Sequence, residues 1–197
     1  MERDSIVSFV NHLMLRLYKP EPIANEDIIE AFKTTLKDIQ YHYPNVDSKL
    51  SIERIITNQN ELAVYLFRLG RLLHTKKRNK LKMQVHFLLK DVCGCEIYFN
   101  TSIEEGFYVV HGEGTVIGSR NTIGKGFIIH QGCTIGHKIN GEGKGSIIGN
   151  DVKLYCNASI LGALKIGDNV TIGAHSMVNK DVASNSTIVS SSRLEYL

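Results

Sequence analysis

An aliphatic residue recurs at every sixth position through much of the second half of the chain. The stretch TVIGSRNTIGKGFIIHQGCTIG, residues 115–136, shows the repeat most clearly, with Ile117, Ile123, Ile129 and Ile135. A helix would bring apolar residues back every three or four positions and a strand every two, so neither produces a period of six. The period fits a solenoid whose coils each contain three short strands, with one aliphatic residue per strand directed into a central stack.

The six-residue frame starts near residue 91 and continues almost to the end of the chain. It shifts once before Ile117 and is interrupted by GHKINGEGKGSI, residues 136–147. Sixteen of the seventeen glycines follow residue 90, which suits tight corners because glycine adopts positive φ without steric cost. The residues predicted to fill the central stack are Ile97, Ile103, Val109, Ile117, Ile123, Ile129, Ile135, Ile148, Leu154, Ile160, Ile166, Ile172 and Val178.

The first 90 residues have a different pattern. They contain one glycine, and apolar residues recur at helical spacing, as in Ile6, Val10 and Leu13. Prolines at positions 20, 22 and 44 separate the helical stretches. We therefore predict an α+β chain, with a helical domain over residues 1–90 and a parallel β-solenoid domain over residues 91–197.

Composition restricts the class of function. The formal net charge is +3, which gives no reason to expect a nucleic-acid surface. The four cysteines form no CxxC pair, and we interpret them as buried fillers. The N-terminus lacks the charge order of a signal peptide, and no run approaches the roughly 20 apolar residues of a membrane span. We therefore expect a cytoplasmic protein without a membrane span.

One charged segment is not explained by the repeat. Seven Lys or Arg residues lie between Arg68 and Lys82. Such a segment is typical of a solvated helix face and linker, and the alternative is a site for an anionic ligand or a membrane surface.

A second signal lies where the frame begins. Residues 96–118, EIYFNTSIEEGFYVVHGEGTVIG, resemble the entry to the left-handed β-helix of serine acetyltransferases. That entry reads Asp-Ile-His-Pro, then a hexad, then Asp-His-x-x-Gly-x-Val-[Val/Ile]-Gly. Residues 129–136, IHQGCTIG, and residues 62–73, LAVYLFRLGRLL, resemble other parts of the same family. The resemblance implies a left-handed parallel β-helix of hexapeptide repeats, acetyl-CoA as co-substrate, and a homotrimer that is able to form a dimer of trimers through the helical domain.

His111 takes the position of the family's catalytic histidine, at the point where the frame shifts. Acyl transfer from a thioester to a hydroxyl needs a base for the hydroxyl proton, and histidine, with an unperturbed pKa of roughly 6.5, suits that task. Glu96 stands where the family has the aspartate that orients this base. The resemblance therefore implies that His111 and Glu96 are catalytic, with direct attack of the acceptor hydroxyl on the thioester.

The chain departs from the family at positions that hold the amino-acid substrate. Val110 replaces the aspartate before the histidine, and Gly145 stands near the family's second histidine, whose neighbouring arginine is also missing. A zwitterion without charged partners binds poorly, whereas a neutral sugar hydroxyl needs no such partners. We therefore expect a saccharide acceptor, as in polysaccharide O-acetyltransferases of this fold. The alternatives are serine O-acetylation in cysteine synthesis and a solenoid that binds partners without catalysis.

Several further residues are candidates for the site. His130 lies nineteen residues after His111, about one coil, and is either a second active-site residue or a packed histidine. Backbone N–H groups around Gly136 are candidate oxyanion donors, and the three cationic residues expected to contact coenzyme A are Lys138, Lys144 and Arg193. The alternative for the two lysines is a disordered surface loop. The spacing of the histidines predicts no metal site.

Overall fold

The computed structural model describes residues 2–139 and 143–190. Five helices come first: α1 Glu2–Met14, α2 Asn25–His42, α3 Ser48–Thr57, α4 Gln59–Thr75 and α5 Asn79–Cys93. Short strands follow: β1 Glu96–Ile97, β2 Ser102–Ile103, β3 Tyr108–Val110, β4 Val116–Ile117, β5 Thr122–Ile123, β6 Ile128–His130, β7 Thr134–Gly136, β8 Ile147–Ile148, β9 Lys153–Leu154, β10 Ser159–Leu161, β11 Lys165–Ile166, β12 Thr171–Ile172, β13 Met177–Val178 and β14 Thr187–Ile188. The prediction of helices followed by a left-handed parallel β-helix is confirmed.

The strands form three parallel sheets, which are the three faces of a prism. The first face has the order β1-β4-β7-β10-β13, the second β2-β5-β8-β11 and the third β3-β6-β9-β12-β14. On the first face, the register aligns Ile97, Ile117, Ile135, Ile160 and Val178. All thirteen residues predicted for the central stack are buried, with at most 5% of their surface exposed. The six-residue period therefore identified the interior correctly.

The coils differ in length at two places, before Ile117 and between Ile135 and Ile160, which are 25 residues apart. Eighteen residues separate Ile117 from Ile135, and eighteen separate Ile160 from Val178. The first coil is two residues longer, because eight residues separate Val109 from Ile117 where the repeat needs six. This insertion contains His111 and lies at the edge between the third and first faces.

A buried ion pair joins the helices to the first coil. Arg68 in α4 donates two hydrogen bonds of 2.7 Å to the carboxylate of Asp38 in α2, and both side chains are at least 93% buried. Arg68 also donates to the carbonyl oxygens of Ile103 and Glu104, at 2.6 and 2.7 Å. Asp38 accepts hydrogen bonds from the backbone N–H groups of residues 106 and 107. The pair therefore fixes the turn that leads into β3.

A second contact between the two parts requires a glycine. The Phe99 ring packs on α4 at Gly70, where a Cβ atom would lie 2.1 Å from the ring. This packing explains why the only glycine before residue 94 lies in the middle of a buried helix.

Two remaining expectations concern cysteines and membrane spans. All four cysteines are free, and Cys93, Cys95 and Cys133 are buried. Burial raises the pKa of the Cys95 thiol to about 12, as expected for a packing residue and not for a nucleophile. Among the described residues, no helix is long and apolar enough to cross a bilayer.

Candidate active site

His111 directly follows β3 and adopts a left-handed backbone conformation, with φ +52°. Non-glycine residues avoid this region because Cβ approaches the backbone, at a cost of about 1 kcal/mol. The side chain is exposed, and within the described residues the imidazole has no hydrogen-bond partner. The imidazole is therefore open to contact with a bound molecule.

A helix fixes the peptide after His111. The backbone N–H of Gly112 donates a 2.9 Å hydrogen bond to the side-chain oxygen of Asn60, at the start of α4. The backbone N–H of Asn60 in turn donates to the side chain of Asn58, which caps the same helix. The helical domain thus holds β3 at both ends, through Asp38 before it and Asn60 after it.

A second histidine lies beside this corner, one coil further along. The register pairs His130 with Val110, so His130 is offset by one position from His111. Its ring stacks on Tyr155 of the next coil, with centroids 4.9 Å apart and an interplanar angle of 21°. Burial lowers the pKa of His130, and the neighbouring His111 lowers it further. At neutral pH we therefore expect an uncharged imidazole next to the candidate base.

Glu96 does not contact His111 in this structure. Its carboxylate lies 3.0 Å from the Lys90 ammonium and 3.4 Å from Nε2 of His86, both in α5. The sequence could not indicate this pairing, because it depends on how α5 packs against the first coil. The role of Glu96 in orienting His111 stays a prediction.

Two of the residues expected to contact coenzyme A, Lys138 and Lys144, lie at another edge of the prism, between the first and second faces. Lys138 and Lys144 line the same surface pocket of about 240 Å³, together with Gly162 of the next coil. The carbonyl oxygen of Gly136 accepts a 2.9 Å hydrogen bond from the N–H of Gly162. Arg193 lies outside the described residues. Within one chain, the structure therefore brings the two lysines together but keeps them at a different edge from His111.

Sequence reasoning missed two residues of the His111 corner. Asn60 lies at a helix start in NQN, which signals a cap but not a contact with residue 112. Tyr155 follows His130 by 25 residues, and because the irregular segment lengthens that coil, the six-residue period cannot align the two. Among the described residues, no three His, Cys, Asp or Glu side chains are placed to hold a metal ion.

Comparisons with known proteins agree with this architecture. The family model of the bacterial transferase hexapeptide, with six repeats, matches residues 145–180. A serine acetyltransferase of Helicobacter pylori is 34% identical over 130 residues, which cover 66% of this chain and 76% of that protein.

Solved structures share the fold. Soybean serine acetyltransferase complexed with serine has a TM-score of 0.80 at 24% identity, covering 95% of this chain and 80% of that one. Serine acetyltransferase of Brucella abortus in complex with coenzyme A has a TM-score of 0.77 at 18% identity, covering 95% and 78%. Given the coverage and identity of the Helicobacter relative, the chain belongs to the serine acetyltransferase family, and it is an O-acetyltransferase that uses acetyl-CoA as co-substrate.

Proposed function

We propose that the protein transfers the acetyl group of acetyl-CoA to the hydroxyl of L-serine, with His111 as general base. The observation that carries this choice is the family relationship, since a relative named for this activity is 34% identical and three quarters of it is covered. From the sequence alone we expected a saccharide acceptor, because Val110 and Gly145 stand where the family has charged or polar residues. L-Serine replaces the saccharide as the proposed acceptor.

The chemistry needs one proton acceptor and one site for negative charge. The imidazole of His111 takes the hydroxyl proton as the oxygen attacks the thioester carbonyl. The tetrahedral intermediate then expels the coenzyme A thiolate, which receives the proton from the imidazolium. Backbone N–H groups around Gly136 are the proposed donors to the oxyanion.

Assembly would bring the two edges of the prism together. His111 and the lysine-lined pocket lie at different edges of one chain, so a neighbouring copy that packs along the solenoid can complete the site. This separation supports the homotrimer, and a dimer of trimers through the helices stays a prediction.

In the assembled site, Lys138 and Lys144 would meet the phosphates of coenzyme A. We therefore expect Lys138→Ala to raise the KM for acetyl-CoA more than it lowers kcat.

One observation favours a saccharide as a second candidate. Val110, His130 and Tyr155 form a column beside His111, by the register of β3, β6 and β9, and none of the three supplies a permanent charge for a zwitterion. Tyr155 is 42% exposed, and its ring offers a flat apolar face of the kind that packs against a sugar ring.

Saturation kinetics with several acceptors test the proposal. Coenzyme A release would be followed with L-serine, a nucleotide sugar and a capsular oligosaccharide, and the products identified by mass spectrometry. We expect saturable turnover with L-serine and formation of O-acetylserine. Efficient saccharide acetylation with no serine turnover would instead establish the second candidate.

A further inference from the structure

A pocket of about 300 Å³ lies between α4, α5 and the turn after β1, at the first-coil end of the edge between the first and second faces and two coils before the lysine-lined pocket. It is lined by His74 from α4, by Lys82, Met83 and His86 from α5, and by residues 98–100 of the first coil. Helices and solenoid thus form its walls jointly. Two of its lining residues, His74 and Lys82, belong to the basic segment between Arg68 and Lys82, which the acyltransferase site does not use.

Aromatic and apolar groups form the floor of the pocket. Phe99 is buried, with its ring fixed against Gly70, and Tyr98 beside it is 43% exposed. The His86 ring meets both rings edge-on, with centroid distances of 5.8 Å to Tyr98 and 5.7 Å to Phe99. Met83 is 61% exposed at the same place. An aromatic ring or another apolar group of a ligand would pack favourably on this surface.

Positive charge surrounds the floor. The Lys82 ammonium lies at the wall, and the guanidinium of Arg71 donates a 3.1 Å hydrogen bond to the carbonyl oxygen of Phe99. Burial lowers the pKa of His74, and the charges of Lys82 and Arg71 lower it further, which indicates a positive local potential. Within residues 2–139 and 143–190, no carboxylate forms an ion pair with Arg71, His74 or Lys82. The acidic group next to this wall is Glu96, which lies against His86 and Lys90.

A buried polar atom at the same site also has no hydrogen bond. Nε2 of His86 is inaccessible to solvent and makes no hydrogen bond, although the Glu96 carboxylate lies 3.4 Å away. Asn100 contributes an amide to the rim. The Glu96 carboxylate is the polar neighbour of this inaccessible nitrogen, so Asn100 is the group at the rim that is offered to a ligand.

We propose that this pocket binds a small molecule in which a carboxylate or phosphate group is attached to an aromatic ring or another apolar group. The anionic group would lie against Lys82 and His74, and the ring would lie on Phe99 and Tyr98. This binding function is separate from acetyl transfer at His111 and the lysine-lined pocket.

Titration of the full-length protein with phenyl phosphate and with phenylacetate, followed by isothermal calorimetry and by NMR of the backbone amides, tests the proposal. The two probes distinguish a phosphate ligand from a carboxylate ligand. Benzyl alcohol lacks the charge and inorganic phosphate lacks the ring. We expect at least one of the two anionic aromatic probes to bind about tenfold or more tightly than either control and to shift the amides of Tyr98 and Asn100.

Two variants locate the site. Lys82→Gln should weaken binding of that probe about tenfold, because a charged contact is lost from a partly enclosed pocket. Lys80→Gln is the matched control, since Lys80 is also in α5 but pairs with Glu21 and does not line the pocket. Absence of binding by both probes at millimolar concentration, equal effects of the two variants, or shifts confined to the His111 corner and the lysine-lined pocket would overturn the proposal.

Discussion

Two histidines occupy left-handed positions on the same edge of the prism, and only one belongs to the repeat. The register aligns Gly114, Gly132, Asn157 and His175, each with φ between +58° and +72°, so His175 takes the ordinary corner position of its coil. His111 has the same conformation, but it lies in the two-residue insertion and has no equivalent in the other coils. Backbone shape is therefore shared by both corners and cannot by itself make a histidine catalytic.

The surroundings of the two corners differ. The His111 corner is attached to α2 through Asp38, to α4 through Asn60, and has a second imidazole, His130, beside it. His175 lies in the fourth coil, and its backbone N–H donates to Cys156 of the preceding coil. The helical domain thus supports one corner of the solenoid specifically, and the following predictions test that difference.

The largest expected effect comes from Asp38→Asn, which leaves the Arg68 guanidinium buried without its carboxylate. We expect a loss of about 3–5 kcal/mol in the free energy of unfolding, measured with urea. Hydrogen exchange should accelerate at residues 104–112 more than at residues 173–178. The control is Asp91→Asn, which breaks the exposed pair with Arg16 and should cost about 1 kcal/mol or less. Equal costs for the two variants would contradict the account.

A smaller effect is expected for Asn60→Ala, which removes the hydrogen bond to Gly112 and leaves His111 in place. We expect kcat to fall roughly three- to tenfold with both KM values unchanged, since one hydrogen bond positions the base. Asn60→Asp keeps an acceptor oxygen and should restore most of the rate.

The matched control is Asn58→Ala, which removes the helix cap but not the bond to Gly112. It should lower stability by about 1 kcal/mol while kcat stays near the wild-type value. A full rate in Asn60→Ala would mean that α4 does not position His111.

The smallest effect concerns His130 and pH. Its pKa is lowered in the native protein, so the unfolded chain binds more protons at this residue below a pH of roughly 6.5. Its contribution to stability is complete above that pH and is lost as the pH falls through the lowered native pKa.

Thermal unfolding measured between pH 7.5 and 5 tests this sign. Between pH 7.5 and 5, the Tm of His130→Gln should fall less than that of the wild type. The difference between the two falls should be on the order of 1 °C. His74 and His86 also have lowered pKa values, but both proteins contain them, so their contribution cancels in the comparison. A steeper acid loss in the variant would mean that His130 is not held in its neutral form.

The sequence predicted the solenoid well and the supports of the site poorly, for a physical reason. Stack residues such as Ile123 and Ile160 repeat because every coil imposes the same burial, so periodicity alone identifies them. His111 was identified by the resemblance to the family's catalytic histidine, at the point where that period breaks. The bond from Asn60 to residue 112 and the pairing of Glu96 with α5 depend on how helices pack against one coil, and no repeat encodes such contacts.

The comparison of the two corners is tested most directly by the rates of His111→Asn and His175→Asn with acetyl-CoA and an acceptor that the wild-type protein acetylates. Asparagine tolerates the left-handed conformation, so both variants keep the corner and change only the imidazole. The account predicts that His111→Asn loses about 10²–10⁴ in kcat and that His175→Asn retains the wild-type rate, with both proteins folded. Near-normal turnover in His111→Asn, or an equal loss in His175→Asn, would contradict it.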